Sequence, residues 1–502
     1  MPSRFVPCAS ENIFQDPIVT LHWINVWKMV VLTIPYYSRT AAALKGSICF
    51  PSLTSDMSTQ VKVIVVGAGS RGQTYSEFAL LHPRRVKVVG VADPNAFACK
   101  KLQELHGIAD EHVFDDWHGV AQREKFADAV FICTPDRLHK EPAVELARQG
   151  YHILLEKPMA VTSRDCSEIV AACIENHVML IVCHVLRYDP TIHKIKELID
   201  SGAIGDLVHI QHLEPVGFYH FAHSFVRGKW RNEAKSSFAL LAKSCHDIDL
   251  IHHWAGGRRC VKVSSFGSLC HFTKDNKPSG AGDRCLDCPV EASCPYSACK
   301  IYLDRVKKGH VRWPVSVLCP SSVPDIETVT EALRQGPYGR CVYSCDNDVC
   351  TNQVVNMEFD GGLTAAFTMV AFTEEVCRRK TTIHGSKGEL SYDGYRLSVF
   401  DFLTQTRTEH TVDIQVLGNF SSQGHDVADY CLVDTFVSAV ANNDSSLIRS
   451  GPEETLASHR LVFEAEQSRR ENRVIFCGMD QEVQGPKQEV VKQPHSQSPA
   501  NA

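Results

Sequence analysis

The chain has 502 residues, 44% hydrophobic and 22% charged, enough apolar material for a large core and enough length for two or three lobes. Lys and Arg number 52 against 58 for Asp and Glu, a formal charge of -6, so there is no broad cationic field to gather a polyanion and no nucleic-acid partner is expected. Of the 21 cysteines, Cys99, Cys133, Cys173 and Cys183 sit singly in apolar segments, where a buried thiol is simply a small hydrophobe; a reducing, cytoplasmic setting follows.

Residues 1–56 contain an apolar stretch from Ile18 to Tyr37, interrupted by His22, Asn25 and Lys28 and closed by Pro35. A membrane span asks for about 20 nearly uncharged residues. A secretory signal asks for a short apolar core and a small-residue cleavage site. Neither is predicted, and the segment reads as a disordered extension or an over-long gene start ahead of Met57.

From Val61 the pattern is strand, tight glycine turn, helix and strand, repeated through VKVIVVGAGSRG, VKVVGVADPN, DAVFICTP, YHILLEKP and VMLIVCHV. Continuous Val and Ile runs between helices predict a doubly wound parallel sheet over residues 57–186, covered on both faces. Gly150 suits the left-handed position past a helix end, and Thr162 or Ser163 the cap of the next helix. Beyond residue 187, alternating segments such as DLVHIQHLEPV and KTTIHGSKGELSYDG predict an α+β domain to residue 476, built on a large open mixed or antiparallel sheet. A loop-rich insertion at 273–350 interrupts it, a helix from about Pro452 to Arg470 closes it, and 477–502 reads as a disordered tail.

Glycines at 67, 69 and 72 follow an apolar strand and open a helix. Gly67 permits the tight turn, Gly69 lets a pyrophosphate approach the backbone, and Gly72 lets helix and strand pack closely, the pattern of a Rossmann dinucleotide site. Asp93 ends the next strand where a ribose-binding carboxylate belongs, which favours NAD over NADP. Arg71 either contacts the adenosine ribose, and so admits NADP, or is a solvated side chain at the helix start.

ICTPDRLH (Ile132 to His139), LLEKP (Leu154 to Pro158), the segment from His184 to Ile210 and SCHDIDLIHHW (Ser244 to Trp254) together resemble the glucose–fructose oxidoreductase, inositol dehydrogenase and rhizopine-catabolism family, over about Val61 to Arg473. The resemblance implies hydride transfer between NAD, or NADP, and a hydroxyl or carbonyl of a sugar, cyclitol or related polyol, in a homo-oligomer whose open sheet faces the nicotinamide. Along the cofactor it places Ser70, Thr134, Pro135, His139, Glu156 and Lys157, beside Gly67, Gly69, Arg71, Gly72 and Asp93. Lys157 matches the lysine that positions substrate and moves its proton. Oxidised nicotinamide is cationic, which disfavours a neighbouring ammonium and suits the amine to that task. His246 matches an acid or base near the reacting carbon, and Asp249, three residues on, is expected to orient it or contact substrate. Ser244 and Asp247 also have capping spacing, so SCHD can instead start a helix.

Many members carry an aspartate four residues before this histidine, but Ala242 stands here, followed by Lys243, and Lys157, Lys243 and His246 share the acid and base roles as candidates. Arg187, Tyr188, Lys243 and His425 are further candidates for the substrate pocket, with His220, His223, Arg227, Trp230 and Arg231 in a stretch suited to hydroxyl or carboxylate recognition or to an exposed loop. Two alternatives to net hydride transfer stand beside it: an NAD-retaining enzyme that cleaves or epimerises a glycoside, and a non-catalytic regulator that binds the dinucleotide.

Cys285, Cys288, Cys294 and Cys299 lie within the insertion, which lacks long apolar runs. Four thiolates there can hold a structural zinc, although only the first pair has the usual spacing; free thiols, an occasional disulfide or an iron–sulfur centre are the alternatives. Similar insertions occur in a branch of the resembling family, which implies a structural role.

Overall fold

Neighbouring residues of the first strand enter different cores. In the computed structural model, which describes residues 60–412 and 426–478, β1 (Val61–Val66) sends Val63 and Val65 into one apolar cluster and Ile64 and Val66 into another. Both faces are therefore covered, the physical reason for an unbroken apolar run. After β1 come α1 (Ser70–Leu81), β2 (Val86–Ala92), α2 (Ala96–His106), β3 (Val113–Phe114), α3 (Trp117–Ala121), β4 (Ala129–Ile132), α4 (Lys140–Arg148), β5 (His152–Leu155), α5 (Ser163–Glu175) and β6 (Leu180–Val182). The six strands are parallel in the order β3-β2-β1-β4-β5-β6. The order reverses between β1 and β4, which opens a crevice at the carboxyl ends of those strands. Gly150 takes the left-handed conformation after α4, and Thr162 caps α5 by accepting from the Asp165 N–H at 3.0 Å, as expected.

The chain continues through α6 (Pro190–Asp200), β7 (Leu207–Pro215), α7 (Phe218–Phe221) with a π-helical turn over Ala222–Arg227, α8 (Ala239–Trp254) and β8 (Cys260–Ser268). The insertion follows, with α9 (Asp304–Lys307) and α10 (Ile326–Gln335). Then come β9 (Asn352–Phe359), β10 (Thr364–Val370), β11 (Lys380–Gly385), β12 (Gly388–Tyr392), β13 (Leu397–Asp401), β14 (Thr406–His410), α11 (Asp426–Asn442), α12 (Pro452–Glu471) and β15 (Ile475–Phe476). Nine strands form the second sheet in the order β14-β13-β12-β11-β7-β10-β9-β8-β15, with β7 and β10 parallel and the other pairs antiparallel, which confirms the mixed sheet. One face buries Val355, Met357, Phe367 and Ile383 with Leu240, Ile248 and Val462 of α8 and α12. On the other face Phe266, Val354, Thr368 and Leu213 stand side by side across four strands.

Two placements were not legible in the sequence pattern. Leu432, Val433, Phe436 and Val437 of α11 join the core that holds Val63 and Val65, so a helix from late in the chain covers the first sheet. And α8 begins at Ala239, so Ser244 to Asp247 lie inside the helix and do not start it. Among the described residues no helix is long and apolar enough to cross a membrane.

Candidate active site

The glycine loop has the shape its spacing predicts. Gly67 has φ +97°, and a Cβ there would lie 2.6 Å from the backbone of Cys133; a Cβ on Gly72 would lie 2.1 Å from the Gly67 carbonyl oxygen. Gly69 differs: a Cβ would meet nothing within 4 Å, so this glycine looks onto open space. Behind it α1 starts at Ser70 with no side-chain cap and no acidic residue in its first turn, leaving amide donors and the positive end of the helix unspent. That is a fit for a dinucleotide pyrophosphate. At the end of β2 the Asp93 carboxylate accepts from the Ala68 N–H at 2.7 Å and the Asn95 N–H at 2.8 Å, which fixes it at the lip of the loop.

Arg71 is half-buried and its guanidinium is engaged within the fold. Its guanidinium donates to Glu156 at 2.6 Å, to both carboxylate oxygens of Asp429 at 2.6 and 2.9 Å, and to the Tyr75 hydroxyl, tying α1 to the end of β5 and to α11. Burial works to raise the Glu156 carboxyl, but Arg71 and Lys157 overcome it and hold the group below its ordinary range. Both ring nitrogens of His139 meet carbonyls, those of Pro158 at 2.7 Å and Thr134 at 2.8 Å, so it splices two loops. Thr134 spends its hydroxyl on the Leu138 carbonyl at 2.9 Å, and exposed Pro135 follows it in the loop after β4.

Lys157 follows β5, and its peptide bond to Pro158 is cis. Its Nζ crosses to α8 and donates to the Ala242 carbonyl oxygen at 2.8 Å. Where the resembling family often has a carboxylate, this chain presents a main-chain oxygen from the same position. His459 on α12 anchors the loop from behind, accepting from the Met159 N–H at 2.9 Å through Nε2 and donating through Nδ1 to the Thr455 carbonyl at 2.8 Å. The His459, His184 and His246 rings follow one another edge to face, with centroids 5.2 and 5.5 Å apart. His459 left no signal in the sequence, because it lies 300 residues from Met159 in the chain.

Asp249, expected to orient His246, serves another partner. It is fully buried and holds Arg187 through two bonds, at 2.6 and 2.8 Å, and accepts from Ser458 at 2.7 Å. Arg187, itself 1% exposed, reaches Glu454 and the Arg449 carbonyl as well, and the Tyr188 hydroxyl bonds the Ser450 hydroxyl and accepts from the Arg449 N–H. Both are struts in the core and do not face a substrate. Lys243 pairs with Glu214 at 2.9 Å and lies 3.1 Å from the Cys377 sulfur, which in turn is 3.3 Å from His220 Nδ1. Burial disfavours its charge, but Cys377 and Glu214 prevail and raise its pKa, so Lys243 remains an ammonium at neutral pH. Arg379 neutralises the rest of this buried group, with Asp247 at 2.6 Å and Glu214 at 3.2 Å. His425 lies outside the described residues.

The zinc expected on Cys285, Cys288, Cys294 and Cys299 is not supported. Among the described residues no three His, Cys, Asp or Glu side chains gather round a point as one ion requires, and the Cys299 thiol turns to the Cys285 carbonyl at 3.8 Å.

Burial lowers His184 and His223 to about 3, so both are neutral in the folded protein at pH values where an unfolded chain, near 6.5, has begun to take up protons. The unfolded state then binds more protons, and stability falls as pH drops from about 6.5 toward 3, by roughly 1.4 kcal/mol per pH unit for each histidine. Denaturant titrations between about pH 7 and 5 should show this slope, and His184→Leu should remove one share of it. A pH-independent midpoint would contradict the assignment.

Two family models match the chain: oxidoreductase family, NAD-binding Rossmann fold, over residues 61–184, and oxidoreductase family, C-terminal alpha/beta domain, over 196–476. Inositol 2-dehydrogenase 1 of Saccharopolyspora erythraea is 32% identical over 155 residues, 30% of this chain and 45% of the relative. 2,7-Anhydro-N-acetylneuraminate hydratase of Escherichia coli K12 is 26% identical over 214 residues, 41% of this chain and 53% of the relative. The chain thus spans about half the length of these curated relatives. The WlbA dehydrogenase of Bordetella pertussis, solved with NADH and UDP-GlcNAcA, shares the fold with a TM-score of 0.56 at 17% identity, over 84% of this chain and 100% of that one.

Proposed function

The chain belongs to the Gfo/Idh/MocA oxidoreductase family, whose N-terminal domain is the NAD-binding Rossmann fold, and on that premise we propose that it moves a hydride between NAD and a hydroxyl-bearing carbon of a sugar, cyclitol or related polyol. The observation that carries this reading is the Lys157 amine, which leaves the crevice end of the first sheet and is held by the Ala242 carbonyl at 2.8 Å. NAD, when bound, supplies the hydride acceptor. The protein supplies the rest. Ser70 and the turn from Gly67 to Gly72 cradle phosphates, and Asp93 accepts from a ribose and repels a 2'-phosphate. Arg71, committed to Glu156 and Asp429, is not free to offset that repulsion. Lys157 takes the substrate's hydroxyl proton, one bond to Ala242 fixing the direction of its nitrogen, and His246 on the next turn of α8 is the second proton holder. Lys243, kept charged by Glu214, is not a base and stabilises negative oxygen instead.

The inositol dehydrogenase relative and the sugar-nucleotide complex of the Bordetella dehydrogenase support the substrate class. The stripe of Phe266, Val354, Thr368 and Leu213 on the open sheet supports self-association as part of the same reading. Polyols and sugars offered with NAD or NADP test it through nicotinamide absorbance: turnover is expected, favouring NAD by about tenfold or more, the equivalent of roughly 1.4 kcal/mol. The hydratase relative favours one other reading, in which oxidation is transient and NAD stays bound. Product without net absorbance change would put that reading first, and no conversion at all would remove both.

A further inference from the structure

The insertion between β8 and β9 borders a pocket of about 80 Å³, and four cysteines line it: Cys285, Cys288, Cys294 and Cys341. The set differs from the one the spacing suggests. Cys299 turns its thiol to a carbonyl, and Cys341, far along the chain after α10, takes the fourth place.

We propose that these four thiolates hold an iron–sulfur cluster. Their surroundings are those of a bound anion. The Arg227 side chain lines the cavity and is fully buried, yet it meets no carboxylate among the described ion pairs: Nε donates to the Arg340 carbonyl at 2.7 Å, Nη2 to the Tyr296 carbonyl at 2.8 Å and to the Cys285 sulfur at 3.4 Å, and Nη1 finds no partner. Arg284, also on the wall, leaves its buried Nε unpartnered. A buried guanidinium with orphan donors calls for negative charge, and four metal-bound thiolates supply it. A sulfur is met by an N–H group as well: Gly282 donates to Cys288 at 3.4 Å. Hydrogen bonds to the sulfurs are a usual feature of such centres.

A single zinc does not suit this cage. At a Zn–S length of about 2.3 Å, tetrahedral geometry brings sulfurs to roughly 3.8 Å of one another, and among the described residues no three His, Cys, Asp or Glu side chains form a group that could hold one ion. A cluster suits it, because bridging sulfides separate the irons and each iron can take its own cysteine from the wall of a wider cavity.

The experiment is metal and sulfide analysis of the full chain, purified without oxygen and then reconstituted with ferrous iron and sulfide. Iron and acid-labile sulfide in equal amounts, with visible charge-transfer absorption, are expected. Cys288→Ser and Cys341→Ser should reduce both to background, while Cys299→Ser keeps them. Wild-type protein that holds zinc in their place, or neither iron nor sulfide, overturns the proposal whether or not the variants fold. So does iron lost in Cys299→Ser but retained in Cys341→Ser. Because iron and sulfide are read without turnover, failure here leaves the dehydrogenase reading standing.

Discussion

Lys157→Ala is expected to lower kcat by about 10²- to 10⁴-fold while leaving NAD affinity within a few-fold, the range a positioned general base contributes. The amine touches α8 and not the glycine loop, so its removal takes away a proton acceptor without disturbing the phosphate cradle. Single-turnover formation of NADH separates the two effects, since binding is read from nicotinamide fluorescence and chemistry from absorbance. Equal losses in affinity and rate would make Lys157 a binding residue, and an unaffected rate would transfer the base role elsewhere on α8.

The second large effect is one of stability. Asp249→Ala leaves Arg187 with no carboxylate but the partly exposed Glu454, inside a core where the arginine side chain is 0% exposed. Removing one member of a buried ion pair costs about 3–5 kcal/mol, and loss of the Ser458 bond adds to it. Denaturant unfolding should show that drop, with kcat of the protein that remains folded reduced far less than in Lys157→Ala. A stable Asp249→Ala with kcat lowered about 100-fold would restore the catalytic role that its spacing from His246 suggested.

Asp249 also shows where the sequence stops being readable. The parallel sheet, the glycine turn and the lysine after β5 depend on residues near one another in the chain, and periodicity or a short motif exposes them. The partner of a buried charge does not. Asp249 is drawn to Arg187 across 62 residues, Arg71 to Asp429 across 358 and Met159 to His459 across 300. No local pattern encodes those distances. Arg71 therefore read as a contact for the adenosine ribose or a solvated side chain when its charge was committed within the fold, and spacing along the insertion pointed to Cys299 when the fold brought in Cys341. The buried pairing of Lys243 with Glu214 had the same cause, with β7 supplying the carboxylate.

The account rests on a dinucleotide lying along the turn at Gly67 to Gly72, and Gly69 gives the most direct test of it. A side chain there meets no protein atom within 4 Å, so Gly69→Asp should fold normally while placing a carboxylate in the space assigned to the phosphates. NADH titration followed by nicotinamide fluorescence is the measurement. Saturable binding to the wild-type chain at one site, lost in Gly69→Asp with the unfolding midpoint unchanged, is the predicted result; absence of binding in the wild type, or equal binding in both, would contradict it.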